Sequence, residues 1–253
     1  MIVSGDRYLL DLAQQRVVLL AYSGTRPGRS QGLFLSEIGV YFSDKTPMGR
    51  HAHSIDSQVL RRFTSSRGRR VFTAGDFLDL GSRNTVDAAL SRQARTGKIR
   101  KLARGLYDFP KRDPQLGPLM PSVELVAKAL RGRDAVRLQP SGAYAANRLG
   151  LSEQVPMKVL FLTDGVPRRV RIGKLQIIIR RTTPRNMATA GRISGLVIQA
   201  LRYLGQRHVD DRVVTILRGR LSDVDKRQLL KDIRFAPAWM ANIMQQVAAP
   251  EVS

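Results

Sequence analysis

Cysteine is absent from the 253 residues. Disulfides and thiolate metal sites are thereby excluded, and a cytoplasmic setting is compatible with that composition. Histidine is nearly absent too, at three residues. His51 and His53 form an H-x-H pair with no third ligand nearby, and His208 stands alone, so no metal site is expected. No apolar run approaches the roughly 20 residues that span a bilayer, so no membrane partner is expected. Val17 to Tyr22 is the one run that imitates a signal core, but Asp6 and Asp11 precede it and the flank is poorly basic. Neither a G-x-S-x-G serine nor a phosphate-binding G-x-x-x-x-G-K-[ST] loop occurs. The carboxylates are scattered singly apart from Asp210-Asp211 and Asp223/Asp225. Both pairs read as residues opposing helix dipoles, not as ligands for a two-metal nuclease. The expectation is a chain that is not an enzyme and needs no cofactor.

Negative charge is the scarcest commodity. Asp plus Glu number 20 against 43 Lys plus Arg, a formal net charge of +23. Such an excess calls for a polyanionic partner, and nucleic acid is the first choice. Arginine heavily outnumbers lysine, which suits planar, bidentate contacts to phosphates and bases. At 43% hydrophobic residues the chain can build a packed core, and its length allows one large or two ordinary domains.

The most informative stretch is GSRNTVDAALSRQARTGKIRKLARGLYDF, from Gly81 to Phe109. Ser82 is a good N-cap, and Val86, Ala89, Leu90 and Ala94 recur at helical spacing. The opposite face carries Asn84, Ala88, Ser91 and Arg95, flanked by Arg83, Thr85 and Arg92. It is short, polar and basic, so a base edge can approach it closely. Arg suits guanine and Asn suits adenine, each through a bidentate pair. Gly97 closes the helix as a left-handed C-cap. Ile99 to Leu102 and Leu106 to Phe109 then read as two short strands joined around Gly105. Lys98, Arg100, Lys101 and Arg104 crowd that hairpin and are placed to grip phosphates. Recognition helix followed by basic wing is the second half of a winged helix-turn-helix.

Around this stretch the chain divides into four parts. Residues 1–53 read as an extension of open role, with translation from Met48 as an alternative start. Residues 54–110 form the winged helix-turn-helix DNA-binding domain. Its first helix, Ser54 to Arg67, turns Ile55, Val59, Leu60 and Phe63 to one side. Arg61, Arg62, Arg67, Arg69 and Arg70 cluster around its end, either as a solvated face or as phosphate contacts. Val71-Phe72 is a short strand. Thr73 opens a second helix with Asp76 as its capping-box partner and Phe77, Leu78 and Leu80 as apolar anchors. Residues 111–121, KRDPQLGPLMP, read as a linker. Residues 122–253 form a C-terminal α+β domain, a small sheet packed by helices. It comprises a helix from Ser122, a small-residue helix within Pro140 to Pro156, and a strand at Val159 to Thr163. A hairpin turns at Gly173-Lys174, and three or four helices follow from Ile193. The fold class is therefore α+β, with the winged helix N-terminal to the α+β domain.

Two segments resemble a known family. The winged-helix stretch from Gly81 to Pro110, and PSGAYAANRLGLSEQVP from Pro140 to Pro156, are together similar to the AbiEi-type antitoxins of type IV toxin–antitoxin pairs. The resemblance covers about residues 54 to 233. It implies an autoregulatory repressor that binds double-stranded DNA at inverted repeats in its own promoter. It also implies neutralisation of a nucleotidyltransferase-like toxin in phage defence, without a stable complex between the two. Carried onto this chain, the DNA-reading positions are Ser82, Arg83, Asn84, Thr85, Ser91, Arg92 and Arg95. The wing contacts are Lys98, Arg100, Lys101 and Arg104. Arg169, Arg171, Lys174, Arg180 and Arg181 are the candidate antitoxicity surface, a solvated sheet face being the other reading. Two further alternatives stand beside this one: an antitoxin that binds and masks its toxin directly, and a basic RNA-binding protein. The low aromatic content of 6% argues against the second, since RNA readers stack unpaired bases on aromatic rings.

Overall fold

A computed structural model describes residues 54–132 and 136–249. The expectations for residues 1–53, including the start at Met48 and the His51/His53 pair, lie outside the described residues.

Helix α1 (Ile55–Ser65) begins where the Ser54 hydroxyl accepts from the Ser57 amide at 3.2 Å, and it buries Val59 and Phe63 one turn apart. Strand β1 (Val71–Phe72) follows. The expected second helix is shorter than its pattern suggests: it is a single 3-10 segment, Ala74–Phe77. Asp76 fixes it by accepting from the Thr73 amide at 2.7 Å and the Thr73 hydroxyl at 3.0 Å. Leu78, expected as an anchor, is 46% exposed, because the chain leaves the helical path before its side chain can turn inward. Gly81 then passes close to α1. A Cβ there would sit 2.9 Å from Ile55 Cδ1, so a side chain would push the turn away from the helix. Helix α2 (Arg83–Arg95) and strands β2 (Arg100–Ala103) and β3 (Leu106–Asp108) complete this part, and the sheet order is β1-β3-β2, all antiparallel.

Alternation along these strands decides how the chain is joined. Phe72 and Tyr107 face α1 and α2, in a cluster with Phe63, Phe77, Val86 and Leu90. Val71 and Leu106 point the other way, into a cluster with Val126, Val159, Phe161 and Ile177. Both faces of the small sheet are therefore buried, and residues 54–110 are packed directly on the rest of the chain. The segment expected as a linker is folded too. Strands β4 (Arg112–Asp113) and β5 (Gly117–Pro118) pair, and Asp113 Oδ1 accepts from the Gln115 and Leu116 amides, both at 2.9 Å. Its Pro and Gly content reflects a tight turn held by an Asp side chain, not a tether.

Helix α3 (Val123–Arg131), capped by Ser122, leads to a four-stranded sheet in the order β6-β7-β9-β8. Its strands are β6 (Leu138–Ser141), β7 (Lys158–Thr163), β8 (Arg168–Ile172) and β9 (Leu175–Arg181). β7 and β9 run parallel and the outer pairs are antiparallel. β6 was not anticipated. Pro140 within it disguises a strand, and an edge position is where a sheet tolerates proline. Helix α4 (Ala143–Arg148) sits between β6 and β7. Helices α5 (Pro184–Met187), α6 (Ile193–Leu204), α7 (Asp211–Arg220), α8 (Asp223–Asp232) and α9 (Ala238–Ala248) follow. As expected from the sequence, Asp210-Asp211 and Asp223 stand at helix starts: Asp210 caps α7, and a box of Ser222 with Asp225, not foreseen, caps α8. The longer helices close around Leu201, Leu217, Leu229, Met240 and Met244. The architecture is α+β.

α6 lies against β6 at Gly195. A Cβ on that residue would fall on the Gln139 side-chain oxygen and the Thr189 carbonyl. Gly195→Ala is therefore expected to lower unfolding stability by about 1–3 kcal/mol in a denaturant titration, as overpacking does, despite the better helix propensity of alanine.

Candidate nucleic-acid interface

Four inward positions set the orientation of α2: Val86, Ala89, Leu90 and Gln93 are buried. Its start is set by Ser82, whose hydroxyl accepts from the Thr85 amide at 3.3 Å, and its end by Gly97 at φ 71°. With that face buried, Ser82, Arg83, Asn84, Thr85, Ala88, Ser91, Arg92 and Arg95 are all exposed. The neighbouring hairpin turns at Arg104-Gly105, with Gly105 at φ 74°, and presents Lys101 and Arg104 to solvent, as the preceding turn presents Lys98.

Ion pairing sorts these candidates. Arg83 donates to Asp87 one turn on, at 2.9 Å. Arg92 reaches α1, donating to Asp56 at 2.7 and 3.2 Å, and Gln93 Nε2 joins the same carboxylate at 3.1 Å. Arg100 turns inward. It donates to both Asp108 oxygens at 2.9 and 2.6 Å and to the Leu119 carbonyl at 2.8 Å. Its expected place among the wing contacts is therefore revised: it holds the base of the hairpin to the following turn. Arg95, Lys98, Lys101 and Arg104 have no acidic partner among the described residues.

The basic cluster after α1 divides likewise. Arg62 donates to Asp79 at 2.9 and 2.6 Å and lies over the Phe77 ring, and Arg70 pairs with Asp76 and lies over Phe72. Arg61, Arg67 and Arg69 are exposed. In the C-terminal part the candidate antitoxicity residues do not share one surface. Register places Arg169 opposite Ile178, Arg171 opposite Gln176 and Arg180 opposite Leu162, all on one face. Arg181, opposite Thr163, points to the other face, and Lys174 lies in the hairpin turn.

Two contributors to the interface were missed. Gln93 continues the buried stripe of α2 at helical spacing, which the sequence pattern already contained. Asp56 carried no local signal, since its partner is 36 residues away. No group of three or more His, Cys, Asp or Glu residues suited to a metal occurs among the described residues. Nor does any helix among them have the length and apolar character to cross a membrane.

Residues 58–229 match the family described as "Family of unknown function (DUF6088)", and the chain belongs to that family. No curated protein and no solved structure matches it.

Asp108 is 3% exposed, so Arg100→Ala leaves a buried carboxylate without its cation and is expected to cost about 3 kcal/mol of stability. Thermal melting of the variant without DNA checks it. Hydrogen bonding from Arg92 is the main cause that holds the Asp56 carboxyl below its ordinary value. Its stabilising contribution is thus fully present above the unfolded value of about 3.9 and fades as pH falls through the lower folded value. Asp56→Asn is expected to flatten that acid limb, with the largest difference from the wild-type protein near neutral pH. The pair is half exposed, so the difference is small, of order 1 kcal/mol or less. Denaturant midpoints measured across the acid range check it.

Proposed function

We propose that residues 54–110 are a winged helix-turn-helix and that the protein is a sequence-specific, double-stranded-DNA-binding repressor acting in the cytoplasm. The observation that carries this reading is the outward face of α2. Asn84, Ser91 and Arg95 stand exposed on it, the following hairpin exposes Lys101 and Arg104, and no carboxylate among the described residues neutralises the three cations. Element order supports it as well. Helix, strand, short helical turn, helix and two-stranded hairpin, with β3 between β1 and β2, is the order such modules use. α2 enters the major groove, where Arg95 and Asn84 read base edges. Lys98, Lys101 and Arg104 contact phosphates and set the register. Arg83 and Arg92 reach the groove only through guanidinium edges that their acidic partners leave open.

The antitoxin role is part of the same proposal. Its support is the resemblance of the two segments to AbiEi-type antitoxins. On that reading the repressor governs its own promoter and counters a nucleotidyltransferase-like toxin in phage defence. Co-expression with the product of the adjacent reading frame tests it: restored growth supports the role, and toxicity unchanged by this protein removes it.

For DNA reading, Asn84→Ala and Arg95→Ala are each expected to weaken binding to the native upstream region by about 1–3 kcal/mol and to relax base preference. Arg104→Ala is expected to weaken all duplexes alike and to reduce the salt slope by about 1. Gel shifts against the upstream region and a scrambled duplex check both. Equal affinity of the wild-type protein for the two duplexes overturns specific readout.

A further inference from the structure

The four-stranded sheet of the C-terminal part contains no carboxylate. Its strands carry Lys158, Arg168, Arg169, Arg171, Arg180 and Arg181, and the β8–β9 turn adds Lys174. One face is covered. Val159, Phe161, Ile177 and Ile179 pack there against α3 and against Val71 and Leu106 of residues 54–110. Among the described residues, the other face is covered on its β6 side, where Leu162 of β7 is buried as well. There α6 seals it, with Ser141 donating to Gln199 at 2.9 Å and Gln139 meeting Gly195. Toward β9 and β8 that second face carries Lys158, Arg169, Arg171 and Arg180, all exposed, around half-buried Leu160 and Ile178.

None of these four cations has an acidic partner among the described residues. Arg169 and Arg171 are two residues apart on one strand, and Arg180 is diagonal to Arg169 on the next, so their backbone positions stand about 7–8 Å apart. Like charges at that spacing repel, and an anionic ligand of matching spacing relieves them. A nucleic-acid backbone supplies such a row of charges. A protein partner fits less well. Protein interfaces are enriched in aromatics, whereas this face carries no aromatic residue and four exposed cations around Leu160 and Ile178.

We infer that the open face of β8 and β9 is a second binding surface for the phosphate backbone of duplex nucleic acid, on the side of the sheet opposite the one that carries α2. The inference rests on the proposed DNA reading only for what occupies the first surface. Because the two surfaces lie on opposite sides of one sheet, a short duplex held by α2 and the wing leaves the arginine face free. The chain then holds two duplexes at once and bridges DNA segments distant in sequence.

The test is stoichiometry, with the full chain and a duplex of about 12 base pairs, roughly one helical turn, at low salt. Calorimetry is expected to give two duplexes per chain, the weaker event without sequence preference. Arg169→Ala/Arg171→Ala/Arg180→Ala is expected to remove that event and leave the other. The matching triple lysine variant is expected to keep both, and unchanged melting curves show that the fold persists. Should the triple alanine variant not fold, Arg169→Gln alone is expected to reduce the salt slope of the weaker event by about 1. One duplex per wild-type chain overturns the inference, and the same variants then separate the two readings. Binding lost with Arg95→Ala but kept by the triple alanine variant leaves the α2 reading standing. The reverse pattern removes the α2 reading. Capture of poly-glutamate by the arginine face in preference to DNA assigns it to an acidic protein and also overturns the inference.

Discussion

Everything in this molecule depends on a small sheet buried on both sides. β1 and β3 contribute Phe72 and Tyr107 to one cluster and Val71 and Leu106 to the other. Strands of two and three residues are too short to hold a separate domain in place by hydrogen bonds. The alternation does it instead. Each strand is a wedge whose neighbouring side chains belong to different cores, so α2 cannot tilt without disturbing the packing of the C-terminal sheet. The β2–β3 hairpin adds to this, since Arg100 ties β2 to both Asp108 and the Leu119 carbonyl. A reading helix on such a base is presented rigidly, which is what a constellation of base contacts needs.

Much of this was legible from residue patterns, and the exceptions have definite causes. α2 was legible because cap, stripe and terminating glycine agree: Ser82, the Val86/Ala89/Leu90 spacing and Gly97 all point to the same boundaries. The starts of α7 and α8 were legible because Asp210-Asp211 and Asp223 place acids where a helix dipole favours them. The 3-10 segment after Thr73 was read as a longer helix because a capping box signals only a start. A capping box carries no information about where the segment stops, which here is after a single turn at Phe77. β6 was hidden by Pro140, and the folded hairpin at Arg112 to Pro118 was hidden by a composition that also suits a tether. The shared core was invisible for a different reason. Val71-Phe72 reads as a plain apolar pair, and no local pattern says that its two side chains serve different neighbours.

At the candidate interface, residue types were legible and pairing was not. An arginine on a helix face looks the same in sequence whether or not a carboxylate lies beside it. Arg92 meets Asp56 across 36 positions, and Arg100 meets Asp108 only once the hairpin register is known. Side-chain type therefore proposes a contact, and the fold decides which of the proposed contacts is still free.

The scarcity of carboxylates then acquires a structural meaning. Eight arginines are held in ion pairs within the described residues: Arg62, Arg70, Arg83, Arg92, Arg100, Arg137, Arg148 and Arg192. Only Arg83–Asp87 lies within one helix, so the other seven pairs tie different parts of the fold together. The acids are thus concentrated where arginine does structural work. Among the described residues, Lys101 and Arg104 near the hairpin turn and the open side of β8 and β9 receive none. A chain selected only for solubility gains nothing from this separation, because mixed charges serve solubility equally well. Separation of paired from unpaired cations is what a polyanion ligand requires, since each carboxylate near a phosphate contact competes with the phosphate for the same guanidinium. The distribution of the few acids, more than the total charge, is the argument for nucleic acid.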